Sequence, residues 1–303
     1  MKQNPSEGSQ EQMLNVPLNQ FFEFKRSPFP QILPAKDLYF LPQTKAIAEM
    51  TEFAFQNGLC YAVIGAVGCG KSSALQYSCS RLARRQATVI NVTGGIWSFT
   101  EFLRQVLAAL SIDFKPYQPS VMVRLIQERL LGMQADGRRC ILIVDEAHLL
   151  KADCFAQLHI LAQNPEAKAP LFSLMLCGQE ELAEKLAAPQ SRPLMSRIAE
   201  GYYVPSLDRA DFVGYIDHQL RLAGAKDVIF DEMALDTLWQ CSNANLRNIG
   251  NNALAALQHA ANTSQRVVTS ECIRKSRRAL WGNFEHGGGT PAGIPDFSEG
   301  RRA

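Results

Sequence analysis

The stretch of sequence that decides the fold is Gly65-Ala66-Val67-Gly68-Cys69-Gly70-Lys71-Ser72. It matches a complete phosphate-binding loop, it follows an apolar run that ends at Ile64, and it precedes a helix-like segment, 71–84. The glycines let consecutive backbone N–H groups turn toward a β-phosphate, and the Lys71 amine adds a positive charge near the β- and γ-oxygens. The loop and the adjoining Ser73 therefore predict a nucleotide site in which the Ser72 hydroxyl is a ligand of Mg²⁺.

A second motif supplies the acids that such a loop lacks. The apolar run 140–144 precedes Asp145 and Glu146 and predicts a buried parallel strand. Ligands of open α/β sheets bind outside the carboxyl ends of the strands, so Asp145 is predicted to hold Mg²⁺. Glu146 is predicted to orient or deprotonate an attacking water, as a general base does. The alternative for both residues is a strand end with two solvated acids.

Composition narrows the class of protein. The chain has 303 residues, of which 47% are hydrophobic, and can bury a full core and a second, smaller one. Its net charge of +2 shows no overall basicity, so binding of nucleic acid would need a local patch or a ring of subunits. The eight cysteines are scattered, which indicates core residues in a reducing compartment rather than zinc ligands. With no long apolar run and no signal-peptide profile, we expect a soluble, cytoplasmic protein without a membrane partner.

Strand and helix patterns alternate in the first two thirds of the chain. This alternation predicts a three-layer α/β core with a parallel sheet. Ser98 and Glu101 have capping-box spacing and predict a helix start after the second strand. The predicted strands are 61–64, 87–92, 140–144, 171–177 and 201–204.

After Pro205 the strand patterns stop and helical periodicity takes over. The resulting division is a disordered N-terminus at 1–17, a core with an aromatic and proline-rich arm at 18–206, a small all-helical domain at 207–281 and a flexible tail at 282–303. The predicted helices of the small domain are 208–223, 231–241, 245–262 and 270–281.

A nucleotide-binding α/β core followed by a compact helical lid resembles the AAA+ ATPases, over roughly 20–281. Within that superfamily the sequence is similar to the ExeA, MuB and TnsC (TniB-like) group of ATPases, several of which act in transposition. Four stretches carry this resemblance: Phe21-Phe22-x-Phe24 in the arm, Thr93-Gly94-Gly95, Asp145-Glu146-Ala147-His148-Leu149-Leu150, and Cys177-Gly178-Gln179-Glu180-Glu181-Leu182.

The resemblance implies roles for further residues. Gln179 occupies the position of a polar residue that senses the γ-phosphate, although it could be a turn residue. Arg197 matches the arginine that a neighbouring subunit inserts into the nucleotide site, with Arg192 as its nearest rival and a solvated surface role as the alternative. Arg247 lies where the family has a lid arginine in Gly-x-Pro-Arg. The Gly and Pro are missing here, so a plain helix-face arginine is the alternative.

The function implied is an ATPase, with ATP and Mg²⁺, that forms a ring or helical homo-oligomer on double-stranded DNA and regulates transposition by selecting target DNA and recruiting a transposase. An ExeA-type protein would be expected to carry a membrane span and a cell-wall-binding domain. Clamp-loader and origin-binding relatives would be expected to add a winged-helix domain. The sequence shows neither pattern, which favours transposition. The alternatives are an ExeA-type secretion-assembly ATPase and an ATP-gated scaffold with little turnover.

Residues that would contact DNA carry the weakest signal, since each could equally be part of a solvated face. A helical oligomer would repeat any one contact along the duplex, so a modest charge per subunit could suffice. His148 and His159 lack ligand-like companions, and we expect structural roles for them. The DNA candidates are Thr93, Trp97, Arg124, Arg129, Lys151 and the basic run Arg274-Lys275-Ser276-Arg277-Arg278.

Overall fold

A computed structural model describes residues 16–83, 87–113, 118–163 and 169–281 of the chain. These residues form two compact units. The first, the α/β unit, contains 32–207 together with 245–247. The second, the helical unit, contains the described part of 1–31 together with 208–244 and 248–281. The predicted tail at 282–303 and residues 1–15 of the predicted disordered N-terminus lie outside the described residues.

The α/β unit is built on a parallel sheet of five strands in the order β2-β3-β4-β1-β5. The five predicted strands are confirmed. The fifth begins at Ile198, earlier than predicted, because Ile198 and Glu200 also pair with β1 although the charged Glu200 interrupts the apolar pattern. The strands are β1 (Cys60–Ile64), β2 (Thr88–Thr93), β3 (Cys140–Asp145), β4 (Ser173–Gly178) and β5 (Ile198–Tyr203).

Helices connect the strands and form the helical unit. Within the described ranges, none is both long and apolar enough to cross a membrane. In chain order they are α1 (Leu18–Phe21), α2 (Pro42–Asn57), α3 (Lys71–Ala83), α4 (Phe99–Ala109), α5 (Pro119–Ala135), α6 (Ala152–Ala162), α7 (Glu181–Ala187), α8 (Arg192–Met195), α9 (Arg209–Ala223), α10 (Glu232–Ser242), α11 (Leu246–Asn262) and α12 (Ser270–Trp281).

Both faces of the sheet are buried, which is why the central strands are apolar throughout. Side chains alternate between the faces along β3: Ile141 and Ile143 pack in one core, and Leu142 and Val144 pack in the other. The first core includes α2 and α3 residues such as Ile47, and the second is filled from α4, α5 and α6. The result is the predicted three-layer architecture.

The predicted capping box at the start of α4 is confirmed. The Ser98 hydroxyl accepts the backbone N–H of Glu101 at 3.4 Å, and the Glu101 carboxylate accepts the backbone N–H of Ser98 at 2.8 Å. The Ser98 backbone N–H, and after it the Ser98 hydroxyl, which donates to the same carboxylate at 2.8 Å, lower the pKa of Glu101. They fix the point at which the loop after β2 ends.

The aromatic arm packs within the helical unit. Phe22, Phe24 and Phe29 are buried, and the backbone N–H of Lys25 donates to the Ala223 carbonyl at the end of α9 at 2.8 Å. Burial in this unit raises the pKa of Tyr215, whose ring faces Phe29, to about 12. Residues 18–31 were grouped with the core in the sequence analysis. The structure clusters them with the helical unit instead, because that unit supplies the apolar surface that these rings cover.

Candidate active site

The phosphate-binding loop joins β1 to α3. Gly68 and Gly70 have φ values of +74° and +96°, a left-handed region that residues with a Cβ rarely adopt. A Cβ on Gly68 would also lie 2.5 Å from Asn245 Oδ1. The backbone N–H of Gly65 donates to the Gly178 carbonyl at 3.2 Å, which ties the start of the loop to the end of β4. The loop is therefore a backbone cradle that only glycine permits at these positions.

Lys71 points into the loop and is 6% exposed. Its Nζ donates to the carbonyl oxygens of Gly65 and Ala66, each at 2.8 Å, and lies 3.8 Å from Cys69 Sγ. Ser72 and Ser73 follow in the first turn of α3 and are exposed. The N-terminus of this helix adds backbone N–H groups and the positive end of its dipole. The arrangement fits a bound polyphosphate, because phosphate oxygens can replace the loop carbonyls as acceptors of the hydrogen bonds that Lys71 donates.

The carboxyl ends of β3, β4 and β1 are adjacent in the sheet. Asp145 ends β3, its Oδ1 accepts the backbone N–H of Glu146 at 2.9 Å, and its carbonyl accepts the N–H of Gly94 at 2.6 Å. Burial first, and then the Asp145 carboxylate, raise the pKa of the neighbouring Cys177 thiol, so this thiol stays protonated. Mg²⁺ is usually held by one or two protein oxygens together with substrate phosphates and water, and Ser72 and Asp145 are oxygen ligands of that kind.

Glu146 has an unusual backbone, with φ 54° and ψ 34°. This left-handed conformation costs a residue with a Cβ about 1–2 kcal/mol, and such residues cluster at active sites. The side chain is 38% exposed, and its Oε2 lies 3.4 Å from Nδ1 of His148. One carboxylate oxygen therefore faces a buried imidazole, while the side chain stays accessible to water.

Gln179 directly follows β4, next to the phosphate-binding loop. Its side-chain Nε2 lies 2.9 Å from Nε2 of His148, and its backbone N–H lies 3.4 Å from Nδ1. His148 thus contacts both predicted catalytic side chains. The sequence alone predicts only a structural role for His148. The signal that could have revealed more is its position three residues after Asp145, where the turn Ala147–Leu149 brings it back toward β4.

Residues 245–247 lie over the phosphate-binding loop. The backbone N–H of Arg247 donates to the Gly68 carbonyl at 3.3 Å, and the Asn245 side-chain amide donates to the Val67 carbonyl. Asn245 Oδ1 in turn accepts the Arg247 N–H at 3.1 Å. The main chain of Arg247 is therefore at the loop, and its side chain is exposed. The sequence does not predict a role for Asn245, because no local pattern indicates that its amide contacts the Val67 carbonyl.

Comparison with known proteins adds to this geometry. Residues 55–186 match the family model described as the AAA domain. The α/β unit has the P-loop AAA fold. The matched segment runs from α2 to α7, so it includes the phosphate-binding loop, Asp145, Glu146 and Gln179.

One curated relative is General secretion pathway protein A of Aeromonas hydrophila, which is 30% identical over 231 residues. The match covers 74% of this chain, and the chain spans only 41% of that relative's length.

Solved structures share the fold of the AAA domain and the helices after it. The Cdc6p structure from Pyrobaculum aerophilum has a TM-score of 0.63 at 16% identity and covers 86% of this chain and 71% of its own. The Aeropyrum pernix ORC1 protein in complex with DNA has a TM-score of 0.60 at 15% identity, with 83% and 67% covered. The Thermotoga maritima RuvB branch migration motor has a TM-score of 0.51 at 15% identity, with 80% and 70% covered.

Arg197 lies at the amino ends of the strands of the α/β unit, whereas the phosphate-binding loop lies at their carboxyl ends. It directly precedes Ile198, which pairs with Cys60 at the start of β1, whereas the loop follows Ile64 at the end of β1. Four residues of strand separate the two by roughly 13 Å. The Arg197 Nη1 donates to the Pro193 carbonyl at 2.5 Å. The structure therefore does not bring Arg197 to its own subunit's site. Its rival Arg192 is exposed at the start of α8.

Three of the predicted DNA contacts, Thr93, Trp97 and Lys151, lie near the carboxyl ends of the strands. The Lys151 backbone N–H donates to the Trp97 carbonyl at 3.0 Å, and Thr93 ends β2 beside Asp145. Between them Ile96 is 75% exposed, a residue that the sequence analysis did not name. We call the segment 93–97 together with Lys151 the β2 surface.

The other DNA candidates lie elsewhere. Arg124 and Arg129 are exposed on α5, where Arg124 contacts Glu128 at 3.8 Å. Arg129 is close enough to the start of β3 for its charge to lower the pKa of Cys140, although burial raises that pKa more. Arg129 therefore lies toward the amino ends of the strands, whereas Thr93 lies at a carboxyl end. Arg274 and Lys275 are exposed on α12 of the helical unit, and Lys275 pairs with Glu271 at 2.8 Å.

Proposed function

We propose that this protein binds ATP with Mg²⁺ and hydrolyses it to ADP and phosphate. The observation that carries this proposal is the adjacency of β1, β4 and β3, which places Lys71, Gln179 and Glu146 at neighbouring strand ends. Lys71 binds phosphate oxygens, Gln179 contacts the γ-phosphate, and Glu146 accepts a proton from the attacking water. Mg²⁺, held by Ser72 and Asp145, neutralises charge on the phosphates when bound. Arg247 is proposed to contact the γ-phosphate.

We propose further that the active form is a homo-oligomer in which Arg197 completes the site of a neighbouring subunit. The support is geometric, since Arg197 lies at the amino ends of the strands and the phosphate-binding loop lies at the carboxyl ends. A guanidinium stabilises the charge that develops on the transferred phosphoryl group, and this contribution is worth about 10³–10⁵ in rate in other phosphoryl-transfer systems. Each chain would then offer its loop to one neighbour and its arginine to the other.

Mixing two inactive variants tests the role of Arg197. Lys71→Ala chains cannot fill their own site, and Arg197→Ala chains cannot complete a neighbour's. We expect each variant alone to be nearly inactive and a mixture to regain part of the ATPase rate, because some interfaces combine an intact loop with an intact arginine. The measurement is phosphate release across a series of mixing ratios.

The control is the same mixture made with Arg192→Ala, which should be active by itself. Co-assembly of the mixed chains is confirmed by cross-linking. If co-assembled mixtures show no recovery at any ratio, Arg197 does not act between subunits.

The partner class proposed first is a secretion-assembly system. The support is the relative named General secretion pathway protein A, which matches 74% of this chain at 30% identity. In such a system the ATPase would supply an energy-dependent step in assembling a larger secretion structure. This role is proposed for the module alone, because the chain spans 41% of that relative.

A second candidate is assembly on double-stranded DNA to regulate transposition, with target selection and recruitment of a transposase. The β2 surface is the observation that favours it, because it joins exposed Ile96, Trp97 and the cation of Lys151 in one place. One such surface per subunit would be repeated along a duplex by a helical oligomer. A third candidate, an ATP-gated scaffold, differs from both in having little turnover.

Sedimentation with plasmid DNA separates these candidates. If the protein serves secretion, the DNA-bound fraction should be the same in ATP, a slowly hydrolysed analogue and ADP. If it acts on DNA, binding should require ATP, fall steeply with added salt as condensed counterions are released, and reverse as ATP is consumed. A scaffold would stay bound after ATP is added.

The control variants compare two surfaces. Lys151→Glu should abolish ATP-dependent DNA binding without lowering phosphate release. Arg124→Glu on α5 should leave ATP-dependent DNA binding unchanged. ATP-dependent binding that Lys151→Glu does not weaken would remove the β2 surface from the second candidate.

A further inference from the structure

We propose that His148 is a positioning residue that fixes Glu146 and Gln179 relative to each other, so that the water acceptor and the γ-phosphate donor are held at a set spacing. This inference rests on the proposed ATPase function and deepens it. It assigns a specific task to a side chain that the proposed mechanism does not otherwise use.

The contacts of His148 carry the inference. The side chain is 8% exposed, so each ring nitrogen needs a partner in the protein. Nδ1 lies 3.4 Å from Glu146 Oε2, and Nε2 lies 2.9 Å from Gln179 Nε2. A single ring therefore spans the two side chains that the proposed mechanism uses.

Gln179 and Glu146 can each bind His148 and still have a hydrogen-bonding group available for the reaction. A side-chain amide nitrogen has two N–H groups, so Gln179 can give one to His148 and the other to a γ-phosphate oxygen. A carboxylate has two oxygens, so Glu146 can bind His148 through Oε2 and a water through the other. The bridge thus occupies one position on each catalytic side chain and leaves one for the reaction.

This arrangement requires one tautomer of the neutral ring. An amide N–H at Nε2 needs a lone pair there, which places the ring proton on Nδ1, where it can be donated to Glu146. The Gln179 backbone N–H, at 3.4 Å, competes for Nδ1. Its bond would instead require the proton on Nε2 and the amide oxygen of Gln179 facing it. The 2.9 Å contact at Nε2 is the shortest of the three, and we assign the tautomer from it.

The main chain at His148 is held independently of the ring. Nζ of Lys185 on α7 donates to the carbonyl oxygens of His148 and Leu150, the latter at 2.7 Å. The backbone N of His148 would lie 3.1 Å from a Cβ on Gly178, so the turn packs closely against the end of β4. Replacing the imidazole should therefore change the bridge more than the path of the chain.

The test is a set of variants read by steady-state ATPase rates and by nucleotide binding. His148→Ala should lower kcat roughly tenfold while the Kd for ATP stays within about threefold, because the bridge positions the reacting groups rather than the nucleotide. His148→Asn can reproduce only the Nδ1 contact, and His148→Gln only the Nε2 contact. Both should remain slower than the parent chain. If either restores the full rate, one contact suffices and the bridge is wrong.

A double variant tests the coupling. Once Gln179→Ala has broken the bridge, adding His148→Ala should slow hydrolysis by less than about twofold, because the two changes remove one shared interaction. Multiplicative losses would show independent roles and overturn the inference. His259→Asn is the matched control, since that histidine is partly exposed on α11 of the helical unit.

Nitrogen NMR of the ring gives a readout that simple packing would not change. The chain has five histidines, so a ¹⁵N-labelled histidine spectrum can be assigned by substitution. We expect the His148 ring to carry its proton on Nδ1 and to lose this preference in Gln179→Ala. A proton on Nε2 in the parent chain would overturn the inference. Absence of phosphate release by the parent chain at saturating ATP and Mg²⁺ would instead reject the proposed function itself.

Discussion

Replacing Glu146 with glutamine should leave ATP binding intact and slow hydrolysis by roughly 10²–10⁴-fold, the usual contribution of a general base. Glutamine has the same shape as glutamate, and its amide can still hold a water. It cannot accept the proton that the water must lose. The measurement pairs the Kd for a labelled ATP analogue with single-turnover phosphate release at saturating ATP. Because ATP persists in the site, the variant should also accumulate in the assembled, ATP-bound form.

Glu180→Gln is the matched control, since that residue is exposed beside Gln179 and has no assigned role. It should hydrolyse ATP at the parent rate. An unchanged rate in Glu146→Gln would mean that a different group activates the water.

Replacing Lys71 with methionine should weaken ATP binding by more than tenfold without unfolding the chain. Methionine keeps the apolar stem of the buried side chain and removes the charged donor. Hydrogen bonds to charged groups contribute about 1.5–3 kcal/mol each, which corresponds to roughly a tenfold to 150-fold change in Kd. Lys71→Ala should behave similarly, with a larger cost in packing. Binding is measured by titration with a fluorescent ATP analogue.

Lys45→Met provides a matched loss of charge on α2, where Lys45 is exposed and only 3.9 Å from Glu49. Its affinity for ATP should equal that of the parent chain, and thermal melting should show both variants folded. A Lys71→Met affinity within tenfold of the parent would make this lysine peripheral to the phosphates.

The parts of the site that the sequence predicts are those written in consecutive residues. The phosphate-binding loop and the pair Asp145-Glu146 each combine a strand pattern with the side chains that follow it, so local periodicity is enough to place them at strand ends. The same holds for the capping box at Ser98, whose partners are three residues apart. The order of the strands is not written in any single segment, and the sequence patterns do not predict it.

The parts that the sequence does not predict depend on contacts between distant residues. His148 has the local surroundings of a turn residue, and only the return of the chain to β4 brings it to Gln179. Asn245 reaches the Val67 carbonyl across 178 positions of sequence. The arm shows its aromatic character in the sequence, but the identity of its apolar partner depends on where α9 ends. Tertiary packing determines each of these three contacts, and the periodicity of the sequence does not indicate them.

Arg197 and the phosphate-binding loop lie at opposite ends of the strands, and this placement determines how many complete ATPase sites an oligomer contains. If the arginine serves a neighbour, an open row of subunits always holds one complete site fewer than it has chains, because the loop at one end has no donor. A closed ring completes every site. ATP turnover per chain should then climb gradually with protein concentration if rows lengthen, and should rise in one cooperative step if rings close. A simple rate measurement would thus report the geometry of the assembly.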